Sequence, residues 1–242
     1  MGFLFGGQTM VKKHLSPHLL ARQVILVDEA DQQIGLASLV SAHQNQGLLH
    51  RAASAYLFRR KNGRLEFLIQ QRSQEKILAA GLWANTVCGN VAPRENYRQC
   101  IDRRLKEELG IERVELVELT KYRYQVDCGG DFAENEIDQI FVGWYDGPTQ
   151  LNPEEVTQVS WVDWRRFLDF IQKVVTEPAE PHDEIIFHLT NFAPWMELMF
   201  NEPQILVPLK KFLNPLWKFL NTSPSSWTAI VVGHNVRVCK LR

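Results

Sequence analysis

The densest run of residues able to do chemistry lies between Cys88 and Gly110, in the stretch CGNVAPRENYRQCIDRRLKEELG. Ile101, Leu105 and Leu109 recur every four residues, which predicts a helix over 95–109 closed by Gly110 as its C-terminal stop. Arg104 and Glu108 then share one helical face. A helix start can face an anion, and glutamates on one face can hold Mg2+. The plain alternative is a surface helix laced with i,i+4 ion pairs. Further along, Glu134 and Glu136 form an E-x-E pair, which on a strand sends both carboxylates to one side. His43 and His50 are imidazoles in a loop region, Cys88 is a thiol, Trp195 follows a proline, and Arg72 and Lys76 end a strand. Taken singly, each has an ordinary explanation as a surface, core or solvated residue.

Taken together they form a pattern. Residues 89–111 (GNVAPRENYRQCIDRRLKEELGI) resemble the Nudix signature, G-x5-E-x7-R-E-U-x-E-E-x-G-U with U a bulky aliphatic, except that Arg104 stands where a Glu is usual. From about residue 23 to 200 the chain resembles the type 1 isopentenyl-diphosphate isomerases, which carry this modified box. The loop GLWANTVCGN (81–90) is similar to the family's G-x-W-T-N-x-x-C-[SG]-H, and AHQNQGLLHRA (42–52) to its H-x6-H-R-A. AENEID (133–138) is similar to its E-x-E pair, with Tyr124 ten residues upstream. APWM (193–196) and QQRSQEK (70–76) match its tryptophan and its diphosphate-binding segment.

The resemblance implies interconversion of isopentenyl and dimethylallyl diphosphate by protonating an unactivated alkene and removing a proton from the neighbouring carbon. Such a reaction needs an acid, a base on the opposite face, exclusion of water and an electron-rich group beside a tertiary carbocation. The implied catalytic residues are Cys88, Glu136, Tyr124 and Trp195, the last stabilising the cation through its π face. Arg72, Lys76, Arg51 and Arg104 are implied as diphosphate-binding residues. His43, His50, Glu134 and Glu136 are implied as ligands of one divalent metal, Mn2+ or Zn2+, with Asn90 standing where the family has a further His. Glu108 and the carbonyl of Cys88 are implied to hold Mg2+ on the diphosphate. Nothing calls for a flavin. The cation at Arg104 removes a carboxylate that diphosphate hydrolysis would use, while leaving an oxyanion partner. Smaller departures are Arg94, where a Gly usually precedes Glu95, and Ala79-Ala80, where an aromatic-Pro pair is usual.

These side chains must be positioned by a scaffold. Strands are predicted at 23–28, 51–58, 65–71, 113–119, 121–126, 137–144 and 157–163, with Asn62-Gly63 as a two-residue hairpin turn. Residues 36–49 read as a short helix plus loop, and 72–94 as a loop. Helices are expected from Trp164 to about Val174, and from about Asp183, interrupted near Pro194, toward Phe200. Residues 206–220 read as helical despite Pro208 and Pro215. Strands, a central helix and strands again predict an α/β (α+β) fold, a Nudix-type mixed sheet sandwiched between helices. The division expected is an arm over 1–20, the catalytic domain over 21–202 and an extension of unknown role over 203–242.

The bulk numbers bound the rest. With 242 residues, 45% hydrophobic and 23% charged, the chain can bury one sizeable core. A net charge of −1 offers no global field for nucleic acid, so an anion must be held locally. No run is long enough for a membrane span and the apolar start is too short for a signal peptide, so a cytoplasmic protein is expected, as a monomer or weak dimer. Four cysteines without a C-x-x-C pair exclude a zinc knuckle and a disulfide framework. Two other readings stay open: a Nudix hydrolase of a nucleoside or prenyl diphosphate, and a degenerate relative that binds a diphosphate without turnover.

Overall fold

A computed structural model describes residues 20–172 and 192–214, and the backbone of a separate hairpin at 227–232 and 235–240. The elements are β1 (Gln23–Val27), β2 (Gln33–Ser38), α1 (Leu39–His43), β3 (His50–Lys61), β4 (Arg64–Arg72), β5 (Trp83–Ala84), β6 (Val87–Asn90), α2 (Tyr97–Leu109), β7 (Leu116–Gly129), β8 (Phe132–Trp144), β9 (Val156–Asp163), α3 (Trp164–Ile171), α4 (Pro194–Met199) and α5 (Pro203–Leu213). The separate hairpin is β10 (Trp227–Val232) with β11 (Asn235–Lys240).

Strand β3 organises the sheet. One edge pairs in parallel with β8 over His50–Phe58, and the other takes β6 at Ala52–Ala55 and β4 at Phe58–Lys61, both antiparallel. A strand buried on both faces reads as an almost unbroken apolar run, and Ala52 to Phe58 is buried throughout. Odd-numbered Ala53, Ala55 and Leu57 pack with Cys100, Ile101, Leu105 and Leu109 of α2. Even-numbered Tyr56 and Phe58 pack with Trp164 and Phe167 of α3, Trp195 and Met196 of α4, and Leu209 and Phe212 of α5. The result is a mixed sheet between helices, as expected.

Local chemistry explains the junctions. Asn62 and Gly63 both have positive φ, 51° and 76°, the backbone of a two-residue turn whose twist matches its strands. Helix α2 begins at Tyr97 rather than Glu95, because Asn96 and Gln99 form a capping box that fixes its start. Gly110 ends it in the left-handed conformation, φ 66°.

Several expectations need correction. The strands expected at 113–119 and 121–126 are one strand, β7, with an irregularity between Glu118 and Thr120 where the break was expected. Strand β8 starts at Phe132, five residues before the expected 137, because the polar residues of AENEID alternate into a buried site. Residues 33–38 are a strand, so the short helix of 36–49 is confined to Leu39–His43. Residues 203–213, assigned from the sequence to an extension, form α5 and bury Ile205, Leu206, Leu209, Phe212 and Leu213 in the core shared with α3 and α4. The helix expected from Asp183 lies outside the described residues as far as 191, as do 215–220.

Candidate active site

Two buried histidines face two buried carboxylates beside the first turn of β3. Ser38 caps α1 through its side chain, and α1 ends at His43. The chain then reverses through Asn45 and Gly47, both at positive φ, with Leu48 N–H donating to Ala42 O at 2.7 Å. This return sets His50 at the start of β3, where the parallel register places it opposite Glu136. Alternation along β8 brings Glu134 to the same side.

The protonation pattern of this group is legible. His43 Nδ1 lies 2.7 Å from Leu39 O, and His50 Nδ1 lies 2.7 Å from Leu48 O, so each Nδ1 carries the ring proton. Each Nε2 then presents a lone pair to a carboxylate: His43 Nε2 to Glu134 Oε2 at 3.0 Å, and His50 Nε2 to Glu136 Oε1 at 3.4 Å. Glu134 Oε2 is buried and accepts no hydrogen bond. Lone pair facing lone pair requires a cation between them, a proton or a metal ion. Burial pulls His43 down, but adjacent Glu134 outweighs it and raises the imidazole to about 9. Burial pushes Glu134 up, yet His43 holds it down at about 2. Burial and then the Glu134 charge push Glu136 up. One ligand atom from each of the four residues falls within 4.8 Å of the others. Two imidazoles fixed by backbone carbonyls and two carboxylates fit a divalent transition ion.

Next to this group lies the Cys88 side of the site. Strand β6 pairs Cys88 with Ser54 and Asn90 with Ala52, so both β6 side chains project over small residues of β3. Asn90 Nδ2 donates to Glu136 Oε1 at 3.1 Å and lies 3.0 Å from His50 Nε2. Arg72 Nη1 reaches Cys88 Sγ at 3.6 Å, and its guanidinium carbon sits 5.2 Å from the Trp195 ring centre. An irregularity in the β4–β9 register at Gln71/Arg72 accompanies that placement. Trp195 Nε1 donates to Asn85 Oδ1 at 3.2 Å, which anchors the indole. Tyr124 donates its hydroxyl to Glu136 Oε2 at 2.6 Å. Burial pushes Cys88 up to about 12 despite Arg72, so it is a thiol at neutral pH.

On the α2 side, Glu108 is fully buried and takes Gln70 Nε2 at 2.8 Å, Arg104 Nε at 3.0 Å and Lys76 Nζ at 3.5 Å. Glu155 closes the network, accepting from Arg104 Nη2 at 2.8 Å and pairing with Lys76. Burial pushes Glu155 up, but Lys76 and Arg104 hold it at about 2. Gly89 is required by contact: a Cβ there would lie 2.6 Å from Arg104 Cγ. Arg103 clamps Glu95 through its Nη2 at 2.9 Å, tying the helix to the preceding loop.

Among the sequence-selected residues, His43, His50, Glu134, Glu136, Asn90 and Tyr124 form one group, Cys88, Arg72 and Trp195 a second, and Lys76, Arg104 and Glu108 a third. Arg51 joins none of them. Odd-numbered on β3, it points to the α2 face, bonds Asp31 Oδ1 at 2.7 Å and lies 5.7 Å from the Tyr97 ring centre. Sequence reasoning gave no role to Glu155, Gln70 or Asn85, although Asn85 is the Asn of the 81–90 loop motif and Gln70 opens the 70–76 segment. It also missed Asp138, a buried carboxyl whose signal was present as the third member of the alternation Glu134, Glu136, Asp138.

Comparison with known proteins places this geometry. The family profile described as the NUDIX domain matches residues 48–185. The isopentenyl-diphosphate Delta-isomerase of Serratia proteamaculans is 43% identical over 146 residues, covering 60% of this chain and 79% of that protein. The enzyme of the same name from Saccharopolyspora erythraea is 35% identical over 174 residues, covering 72% and 81%. That of Pectobacterium atrosepticum is 33% identical over 178 residues, covering 74% and 89%. Among solved structures, DR0079 of Deinococcus radiodurans superposes with a TM-score of 0.51 at 17% identity, covering 68% of this chain and 96% of that one. Among the described residues, no helix is long and apolar enough to cross a membrane.

Proposed function

Because the chain belongs to the Nudix family, and within it to the isopentenyl-diphosphate Delta-isomerases, we propose that its site interconverts isopentenyl and dimethylallyl diphosphate. The observation that carries this reading is the coexistence of a half-buried thiol, Cys88, packed against the apolar cluster around Trp195, with a buried carboxyl, Glu136, that is hydrogen-bonded to Tyr124. Desolvation raises the proton affinity of both groups, which favours proton transfer to and from a hydrocarbon.

In this reading Cys88 and Glu136 serve opposite faces of the substrate's double bond. One delivers a proton to the terminal carbon, and the other takes a proton from the carbon on the far side. Tyr124 holds Glu136 and can share its proton. Trp195 lies beside the developing tertiary cation. Its ring already faces a cation, the Arg72 guanidinium at 5.2 Å, which is the kind of contact a carbocation would make. Tyr56, Met196 and Trp195, buried in the apolar cluster against which Cys88 packs, would exclude the water that would quench that cation. His43, His50, Glu134 and Glu136 would hold a divalent ion, Mn2+ or Zn2+ in this reading, which would fix Glu136 and tune its acidity. Arg72, Lys76 and Arg104 would bind the diphosphate, with Mg2+ on Glu108 and the Cys88 carbonyl neutralising its charge. Such binding must displace Glu155 from the two cations it now occupies. A free thiol at Cys88 suits a reducing, cytoplasmic setting. All of these residues come from one chain, so a monomer suffices.

The test is incubation with isopentenyl diphosphate, Mg2+ and Mn2+ in deuterated water, followed by NMR. Deuterated dimethylallyl diphosphate is the expected product. Release of phosphate would instead mark a hydrolase, and an unchanged substrate would mark a binding protein without turnover.

A further inference from the structure

The geometry points to Arg22 as a further binding residue of the diphosphate site, contacting the phosphate farther from the hydrocarbon. This inference rests on the reading of Arg72, Lys76 and Arg104 as the cations that hold the diphosphate.

Arg22 immediately precedes β1, and the antiparallel ladder with β2 runs on to it. Leu39 N–H donates to Arg22 O at 2.8 Å, one step beyond the pair Gln23–Ser38. Side chains alternate along such a ladder. Ile25 and Val27 pack toward α2, while Val24 packs with Leu39, Ala42 and Ile77. Arg22 therefore leaves the sheet on the Val24 side, where Ile77 brings its neighbour Lys76. Strand β1 is tied to the same region by Ile25 N–H, which donates to Val91 O at 3.3 Å, two residues past the Gly89 that makes room for Arg104.

The side chain is half-buried, and burial and then the like charge of Arg104 push its guanidinium down. The carboxylates that act on it are already taken. Glu107 pairs with Arg103 at 3.0 Å and with Arg104 at 2.8 Å, and Glu155 pairs with Arg104 at 2.8 Å and with Lys76. Among the described residues, the Arg22 side chain forms no ion pair and no hydrogen bond. A guanidinium drawn partly out of water beside a second one is under-compensated. Each presents a fork of donors that matches a phosphate, so the pair suits a highly charged oxyanion.

The order of the cations selects the phosphate. Arg72 reaches Cys88 Sγ at 3.6 Å. Lys76 comes next, 3.5 Å from Glu108 and acted on by both Arg72 and Arg104. Arg104 follows, and Arg22 lies beyond it, with Arg104 but neither Arg72 nor Lys76 among the charges that act on it most. A substrate with its hydrocarbon at Cys88 and Trp195 presents its first phosphate to Arg72 and Lys76, and its terminal phosphate to Arg104 and Arg22. Arg51, the other arginine marked for this role, is held by Asp31 on the α2 face. Arg22 thus gives the site a means of telling a diphosphate from a monophosphate.

Isopentyl diphosphate and isopentyl monophosphate lack the double bond, so their binding is measured without turnover. Both are titrated by calorimetry, with Mg2+ present, into the full-length protein and into R22M, which keeps the length of the side chain and removes its charge. The expected result is a loss of about tenfold in affinity for the diphosphate and of less than about twofold for the monophosphate. Without ligand, R22M is expected to have a Tm no lower than that of the unaltered protein, since it loses a like charge beside Arg104 and no ion pair. An unchanged diphosphate affinity in R22M, or an equal loss with both ligands, would overturn the role of Arg22 and leave the diphosphate site standing. A markedly lowered Tm would make Arg22 a structural residue and equally overturn the proposal. Failure of the unaltered protein to bind the diphosphate would overturn the diphosphate site, and this inference with it. If R22M does not fold, R22Q replaces it and is judged by the same ratio of the two affinities.

Discussion

The two groups proposed for proton transfer are each set by what surrounds a single atom. Cys88 is half-buried against the apolar cluster around Trp195, and desolvation outweighs the neighbouring Arg72 and leaves it a thiol, while Glu136 is pushed up by burial and by Glu134. Replacing Cys88 by Ala, or Glu136 by Gln, is expected to lower isomerisation about 10²- to 10⁴-fold, measured as dimethylallyl diphosphate formed. The two arginines that the sequence treated alike separate at this scale. R72A removes a charge that touches Cys88 and Trp195, and is expected to raise the KM for isopentenyl diphosphate by about tenfold. R51A removes only the contacts to Asp31 and Tyr97, and is expected to leave KM within about twofold while costing about 1 kcal/mol of stability. An increase in KM for R51A equal to that of R72A would contradict this assignment.

Among the elements, β3 does most of the positioning, because it is the one strand that touches β6 and β8 at once. A slip of one residue in its pairing with β8 would turn His50 away from Glu136 and expose Ala53 and Leu57 to the wrong face. The hydrophobic alternation on both faces opposes such a slip. Helix α5 stabilises the same layer from behind. L209A removes a fully buried side chain from the cluster that contains Trp195 and Met196, and is expected to cost about 2–5 kcal/mol in chemical unfolding. A cost below about 1 kcal/mol would mean that α5 is an appendage after all. How much of each element could be read in advance depended on how local its cause was. The Asn62-Gly63 turn and the α2 C-terminus follow from residues within a turn of each other, and both were legible. The start of β8 was not, since Glu134 and Glu136 are polar residues buried by partners more than eighty residues away.

Over the whole molecule, the charges are balanced in local networks rather than across the surface, as a net charge of −1 foreshadowed. The Glu155 network gives the clearest consequence. Its carboxylate is held at about 2 in the folded protein against an ordinary 4.5, so it contributes stability that is fully present above about pH 4.5 and is lost as the pH falls toward 2. E155Q is therefore expected to cost about 3 kcal/mol near neutral pH, where it leaves Arg104 and Lys76 under-compensated, and much less at pH 2 to 3. Urea unfolding of both proteins across that range measures it, and a penalty independent of pH would show that the carboxylate's charge is not its source.

The amino-acid sequence by itself determined the sandwich of helices on a mixed sheet and the family, and it picked out most of the residues that the structure brings together at the candidate site. These depend on periodicity, turn residues and motifs whose spacing is written along the chain. The tertiary structure alone decided that Arg51 faces away from the site, that Asn90 lies against His50 and Glu136, that Glu155 and Gln70 complete the Glu108 network, and that α5 belongs to the core. Each of those facts is a contact between residues distant in sequence, settled by strand register and packing, and no local pattern encodes it.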